Sequence, residues 1–315
     1  MSTIPLLLLP LLPLHVLDAA PLLTTPHAGS KPSAVFILVD DLGHNDVAYN
    51  NRSADGTTAG RLIQSPNIDE MADTGIKLLN YYVQPICTPT RSALMTGRYA
   101  FRWGATGYTI GSPDPWGVPL DEVFFPELLQ QRGWTTAVFG KWHMGMFKKE
   151  YLPTSRGFNY STGMLSGASD HYSHITDGAY DWHHMETPNF DVDGRYAGNL
   201  VRDDALAFFE RVSGGGGGTD GQQQQQQQEE PFFLYLPFQE CHSPFQVDAN
   251  YSALYPHLPA GPRRTLPGMV THTDEMIGDV VRALKQHKRW DDTLVIFSAG
   301  TRAPSCGSCC LLPAG

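Results

Sequence analysis

Four short apolar runs bounded by turn-forming residues organise the chain. Residues 34–39 (Ala-Val-Phe-Ile-Leu-Val) read as a strand buried on both faces. Residues 135–139, 231–236 and 293–297 repeat the same character. Helical patterns stand between them. One is short, at 127–132, and ends at the turn residue Gly133; another, at about 270–288, brings Val270, Asp274, Ile277, Val281 and Leu284 close to one face. A third is expected over about 90–99, with Pro89 placed for its first turn. Strands alternating with helices predict an α/β domain, a mostly parallel sheet with helices on both faces.

Two segments fall outside this pattern. Residues 214–218 are glycine and 222–228 glutamine, so the insert at 213–230 cannot bury apolar surface and is expected as a disordered surface loop. The strand pattern resumes directly after it, so it does not divide domains. The apolar block at 4–17 is short and broken by proline, and Ala19-Ala20 follows it. Residues 1–20 are therefore expected to be a secretory signal peptide rather than a stable membrane span. Three Asn-x-Ser triplets, at Asn51, Asn159 and Asn250, agree with a glycosylated protein of the secretory pathway, lysosomal or extracellular.

Composition adds exclusions. With 315 residues and 41% apolar content, one large domain can bury a core. A formal charge of −10 leaves no basic stripe for nucleic acid. Of the five cysteines, three crowd the 299–315 tail, which leaves Cys87 and Cys241 in the body and no disulfide framework.

The chemistry gathers where strands end. In open α/β sheets, sites form beyond the carboxyl ends of the strands. The first strand runs into Asp40-Asp41, the second into Gly140-Lys141-Trp142-His143 and the third into Glu240-Cys241-His242. Adjacent carboxylates there suit a hard cation, although an isolated Asp-Asp more often simply ends a strand. Cys87, just before a helix, faces unpaired N–H groups and the positive end of the dipole, and Arg91 lies one turn on.

Cys87-Thr88-Pro89-Thr90-Arg91 continues into Ser92-Ala93-Leu94-Met95-Thr96-Gly97-Arg98, and the whole stretch closely resembles the signature of the type I sulfatases. Val39-Asp40-Asp41-Leu42-Gly43 resembles their first metal-binding motif, and Gly140-Lys141-Trp142-His143 their second signature. Gln84-Pro85-Ile86 and His242-Ser243-Pro244 are similar to the arylsulfatase B branch. The resemblance covers residues 33–298 and implies the alkaline-phosphatase-like sulfatase fold. It also implies that Cys87 is oxidised to formylglycine by a formylglycine-generating enzyme. Asp40, Asp41 and the modified residue 87 would ligate one Ca²⁺. Arg91 would hold the aldehyde hydrate and offset its charge, Lys141 and His143 would position the hydrate and the sulfate oxygens, and His242 would contact the sulfate and serve as general acid towards the leaving alcohol. The implied substrate is a sulfated carbohydrate or an aryl sulfate.

The sequence departs from that family after the fourth strand. There an Asp-Asn pair is expected to complete the metal set, but the residues are Ala299-Gly300-Thr301. A further substrate-binding lysine and a smaller C-terminal sheet subdomain are also expected to be missing, as in a C-terminally truncated member. A catalytically inactive sulfatase-like chain is the alternative reading.

Overall fold

The apolar runs become β1 (Ser33–Val39), β2 (Thr135–Phe139), β8 (Phe232–Phe238) and β9 (Thr293–Ala299) of the sheet. The structure is a computed structural model and describes residues 31–51, 63–214 and 230–301. The expected signal peptide, most of the glycine- and glutamine-rich insert and the cysteine-rich tail beyond Thr301 lie outside the described residues. Between the long strands come β3 (Tyr160–Gly163) and four two-residue strands: β4 (Ile175–Thr176), β5 (Ala179–Tyr180), β6 (His183–His184) and β7 (Thr187–Pro188). Among the described residues the main sheet has seven strands in the order β7-β6-β3-β2-β8-β1-β9. The five strands from β3 to β9 in that order pair in parallel, and β6 and β7 add an antiparallel edge.

Helices cover both faces, as the buried-strand pattern requires. On one face Val35, Ile37, Leu234 and Leu236 pack with α4 (Ala197–Val212) and α6 (Pro262–Gln286). On the other, Phe36, Leu38, Val138 and Tyr235 pack with α2 (Cys87–Thr96) and α3 (Phe125–Gln131). Each face buries alternate residues of the same strands, so the core is two layers separated by the sheet. The remaining helices are α1 (Pro66–Thr74) and the single turn α5 (Ala249–Ser252).

Two helices differ from their sequence pattern. The helix expected from about residue 270 already begins at Pro262, because a proline in the first turn forfeits no hydrogen bond. Pro267 inside it costs one bond near the start without ending the helix. Asp274, expected on the core face, accepts from the backbone N–H groups of Ile68 and Asn67 at 2.7 and 3.1 Å and so caps α1. The helix expected from residue 90 begins three residues earlier, at Cys87. Thr90 N–H closes its first turn on Ile86 O at 3.2 Å, and Gly97 in the left-handed region ends it.

No helix among the described residues is long and apolar enough to cross a membrane. On α4, burial and then the neighbouring Asp203 push the Asp204 carboxyl up to about 6. A raised carboxyl pKa contributes stability that is present below the unfolded value and is lost as pH rises through about 6. Asp204→Asn is therefore expected to stabilise the protein at pH 8, by about 1–2 kcal/mol after allowance for its partial exposure, and to change little at pH 4. Denaturant midpoints at the two pH values check this.

Candidate active site

The carboxyl ends of β2, β8, β1 and β9 lie side by side, and the backbone ladder continues past each strand into the site loops. Asp40 N–H donates to Phe238 O at 3.2 Å, Cys241 N–H to Asp40 O at 2.5 Å and Lys141 N–H to Pro237 O at 2.8 Å. Gly300 N–H reaches Val39 O at 2.8 Å. Gly140, at φ 128°, makes the Lys141 contact possible, since a Cβ there would collide with the Pro237 carbonyl. Rigid strand ends thus fix the residues that carry chemistry.

Asp40 stands at the centre with no solvent exposure. Lys141 Nζ donates to its Oδ2, and Arg91 Nη2 lies 3.5 Å from the same oxygen. Cys87 Sγ is 3.6 Å from Asp40 Oδ1 and 3.3 Å from Lys141 Nζ. Burial by itself would raise the Asp40 carboxyl, but the charges of Lys141 and Arg91 outweigh it and hold the group far below the usual carboxylate range. Arg91 also donates from Nη1 to Lys141 O at 2.7 Å. Burial would weaken its charge, but Tyr235, Asp40 and Cys87 around it more than compensate, so the guanidinium stays charged.

At Cys87 the balance goes the other way. Burial pushes the thiol up, and neither Lys141 nor Arg91 cancels that. The side chain is therefore a neutral thiol at the first turn of α2, not a reactive thiolate.

His143 is buried at φ 56°, with its ring against Gly167, where a Cβ would strike it. Its Nε2 binds Ile110 O at 2.9 Å; a carbonyl only accepts, so Nε2 carries the proton and Nδ1 is the basic nitrogen, with no hydrogen-bond partner. Burial, then Lys141 and Arg91, keep the ring well below its ordinary pKa and therefore neutral. Thr88, which the sequence reading passed over, holds this loop: its hydroxyl donates to His143 O at 3.0 Å and accepts from Ile110 N–H at 3.1 Å. No sequence signal marks Thr88 except its place inside the signature.

The third strand end divides its residues. Glu240 and Cys241 turn into the core, Glu240 against His171 at 3.6 Å. His242 alone reaches the pocket: Nδ1–H donates to Ser243 O at 2.6 Å, and Nε2 lies 3.7 Å from Asp41 Oδ2. Ligand-bearing atoms of Asp40, Cys87 and His242 all fall within 4.8 Å of one another. Asp41 is not in that trio. With φ 54° its carboxylate swings towards β9, where the Thr301 hydroxyl donates to Oδ1 and accepts from Asp41 N–H at 3.1 Å. Burial and the charge of Asp40 raise the Asp41 carboxyl.

The sulfatase family model matches residues 32–300. The chain belongs to the sulfatase family. Arylsulfatase J of Mus musculus is 34% identical over 284 residues, an alignment spanning 87% of this chain and 44% of the mouse protein. Human steryl-sulfatase is 38% identical over 149 residues, 44% of this chain and 24% of that protein. The chain thus spans less than half the length of these two relatives. The solved structure of Ps i-CgsB superposes with a TM-score of 0.74 at 28% identity, covering 86% of this chain and 58% of the other. The alkaline-phosphatase-like sulfatase fold expected from the sequence is the fold observed.

Proposed function

We propose that this pocket is built to hydrolyse sulfate esters of a sulfated carbohydrate or an aryl alcohol, through a formylglycine made from Cys87. The supporting observation is the position of Cys87: a neutral thiol in the first turn of α2, with Lys141 at 3.3 Å and Arg91 on the same helix. A neutral buried thiol is a weak nucleophile, so the cysteine makes better sense as a precursor. Residue 87 fits the modified side chain, because an oxygen in place of Sγ would meet an ammonium group and the free amides of a helix start. When present and hydrated by one water, formylglycine would supply two hydroxyls on one carbon, one to attack sulfur and one to allow sulfate release as the aldehyde reforms.

The chain's own residues would do the rest. Arg91 and Lys141 place positive charge where the sulfate oxygens gain negative charge. Neutral His143 offers Nδ1 as an acceptor. His242, with Nδ1–H tied to Ser243, has Nε2 as the nitrogen able to pass a proton to the leaving alcohol. The calcium set fits less well: of the strand-end carboxylates Glu240 turns to His171, which leaves Asp40 and Asp41, and Gly300 and Thr301 add none. That shortfall favours a second reading, a sulfatase-like chain that keeps the anion pocket without a complete metal set.

Conversion of Cys87 needs the generating enzyme, which places this protein in the secretory pathway on the proposed reading. Asn250 is exposed at α5, as a glycosylation site must be. Mass spectrometry of the residue-87 peptide, from protein made in a secretory host, tests the proposal. A peptide at the formylglycine mass, with turnover of an aryl sulfate, is expected; unmodified cysteine throughout would sink it.

A further inference from the structure

We infer that the described residues of this pocket do not assemble a divalent-cation site, that the deficit lies at Gly300 and Thr301, and that Lys141 is the standing counter-ion of Asp40. The inference rests on the sulfatase reading of the pocket but concerns a different property.

The donor set comes first. A hard dication takes about six to eight oxygens, with carboxylates among them. Around residue 87 the described residues present two carboxylates, Asp40 and Asp41; the second has one oxygen taken by Thr301 and keeps the other 3.7 Å from His242 Nε2. Position 300 faces the same pocket. A Cβ built on Gly300 would lie 3.4 Å from Asp40 Oδ1 and 3.2 Å from Leu38 Cγ, with the loop pinned by Gly300 N–H on Val39 O. A side chain at 300 would therefore enter the pocket as a ligand, and glycine supplies none. Thr301 uses its hydroxyl proton on Asp41 Oδ1, which occupies an oxygen that a cation would need.

Charge balance points the same way. Lys141 and Arg91 already face Asp40, and with Asp41 ionised the four side chains sum to zero. A dication would enter with its charge uncompensated, beside a buried ammonium group.

The same geometry says how a cation site would be gained. Gly300→Asp needs the buried Leu38 side chain, met at Cγ and Cδ2, to yield by a few tenths of an ångström, and the new side chain would start beside Asp40. Combined with Thr301→Asn, it supplies two oxygen ligands in place of a bare backbone and a hydroxyl donor. Without a cation, the added carboxylate repels Asp40 and Asp41.

The test is calcium titration by thermal unfolding and calorimetry on the wild-type chain and on Gly300→Asp/Thr301→Asn. The wild type is expected to show no midpoint shift between chelator and millimolar calcium. The double variant should melt below the wild type in chelator. It should then rise by on the order of 5 °C at calcium a hundredfold above its dissociation constant. Saturable calcium binding by the wild type, abolished by Asp41→Asn, would overturn the inference; so would a folded double variant blind to calcium. Should the double variant not fold, terbium luminescence of the wild type decides alone: saturable binding refutes, none supports. The mass of the residue-87 peptide reads the sulfatase chemistry separately, so failure of either proposal is seen by itself.

Discussion

Cys87→Ala is expected to abolish turnover of an aryl sulfate, by on the order of 10⁶-fold, the scale seen when a nucleophile is removed from an otherwise intact site. The fold should tolerate the change. Cys87 packs as a small group at the start of α2, and replacing its sulfur by hydrogen removes little apolar contact, so a loss of about 1 kcal/mol is expected. The two effects separate chemistry from folding. Initial rates with a chromogenic aryl sulfate, beside a urea midpoint on the same preparation, measure both. A variant that keeps a hundredth of the wild-type rate would place the reacting group elsewhere in the pocket.

Asp40→Asn should produce the largest loss of stability. The amide keeps the shape of the side chain but removes the charge that Lys141 and Arg91 share, and all three groups are fully buried. Breaking a buried charge set by removing one partner costs about 3–5 kcal/mol, which corresponds to a fall in the unfolding midpoint of roughly 6–15 °C for a domain of this size. The pH dependence carries its own sign. The Asp40 carboxyl is lowered in the folded protein, so its contribution is present above the unfolded carboxylate value and is lost as pH falls towards its own. The gap between wild type and variant should therefore be full at pH 7 and shrink in acid. Adding Lys141→Met to Asp40→Asn should recover part of the loss, since one stranded cation disappears. Equal midpoints for wild type and Asp40→Asn at pH 7 would refute the counter-ion role.

Much of the site was legible because strand ends are legible. The apolar runs located β1, β2 and β8 within a residue or two, and the rule that parallel sheets bear sites at their carboxyl ends then gathered Asp40, Lys141 and His242 without any contact information. What stayed hidden depended on contacts between distant segments. The motif pairs Asp41 with Asp40, but it does not tell that Asp41 Oδ1 is held by Thr301, 260 residues away in the chain, while Oδ2 stays 3.7 Å from His242 Nε2. The ring orientation of His143 is fixed through Ile110, which carries no pattern of its own. The start of α2 was placed at residue 90 because Pro89 dominates the local signal. The carbonyl of Ile86 closes the turn three residues earlier, which puts Cys87 inside the helix.

The burial of Cys87 also sets a clock. Its neighbours come from β1 (Asp40), the end of β2 (Lys141) and the β8 loop (His242), and the last two are made long after residue 87 itself. Any enzyme that must grip the cysteine has access only while the chain is still being extended or before the sheet closes. At about 5–20 residues per second, the stretch of chain from Cys87 to β8 takes on the order of ten seconds to emerge from the ribosome. If residue 87 is converted as proposed, the conversion competes in time with the joining of β8 to β1. A variant that folds sooner would leave more of its cysteine untouched.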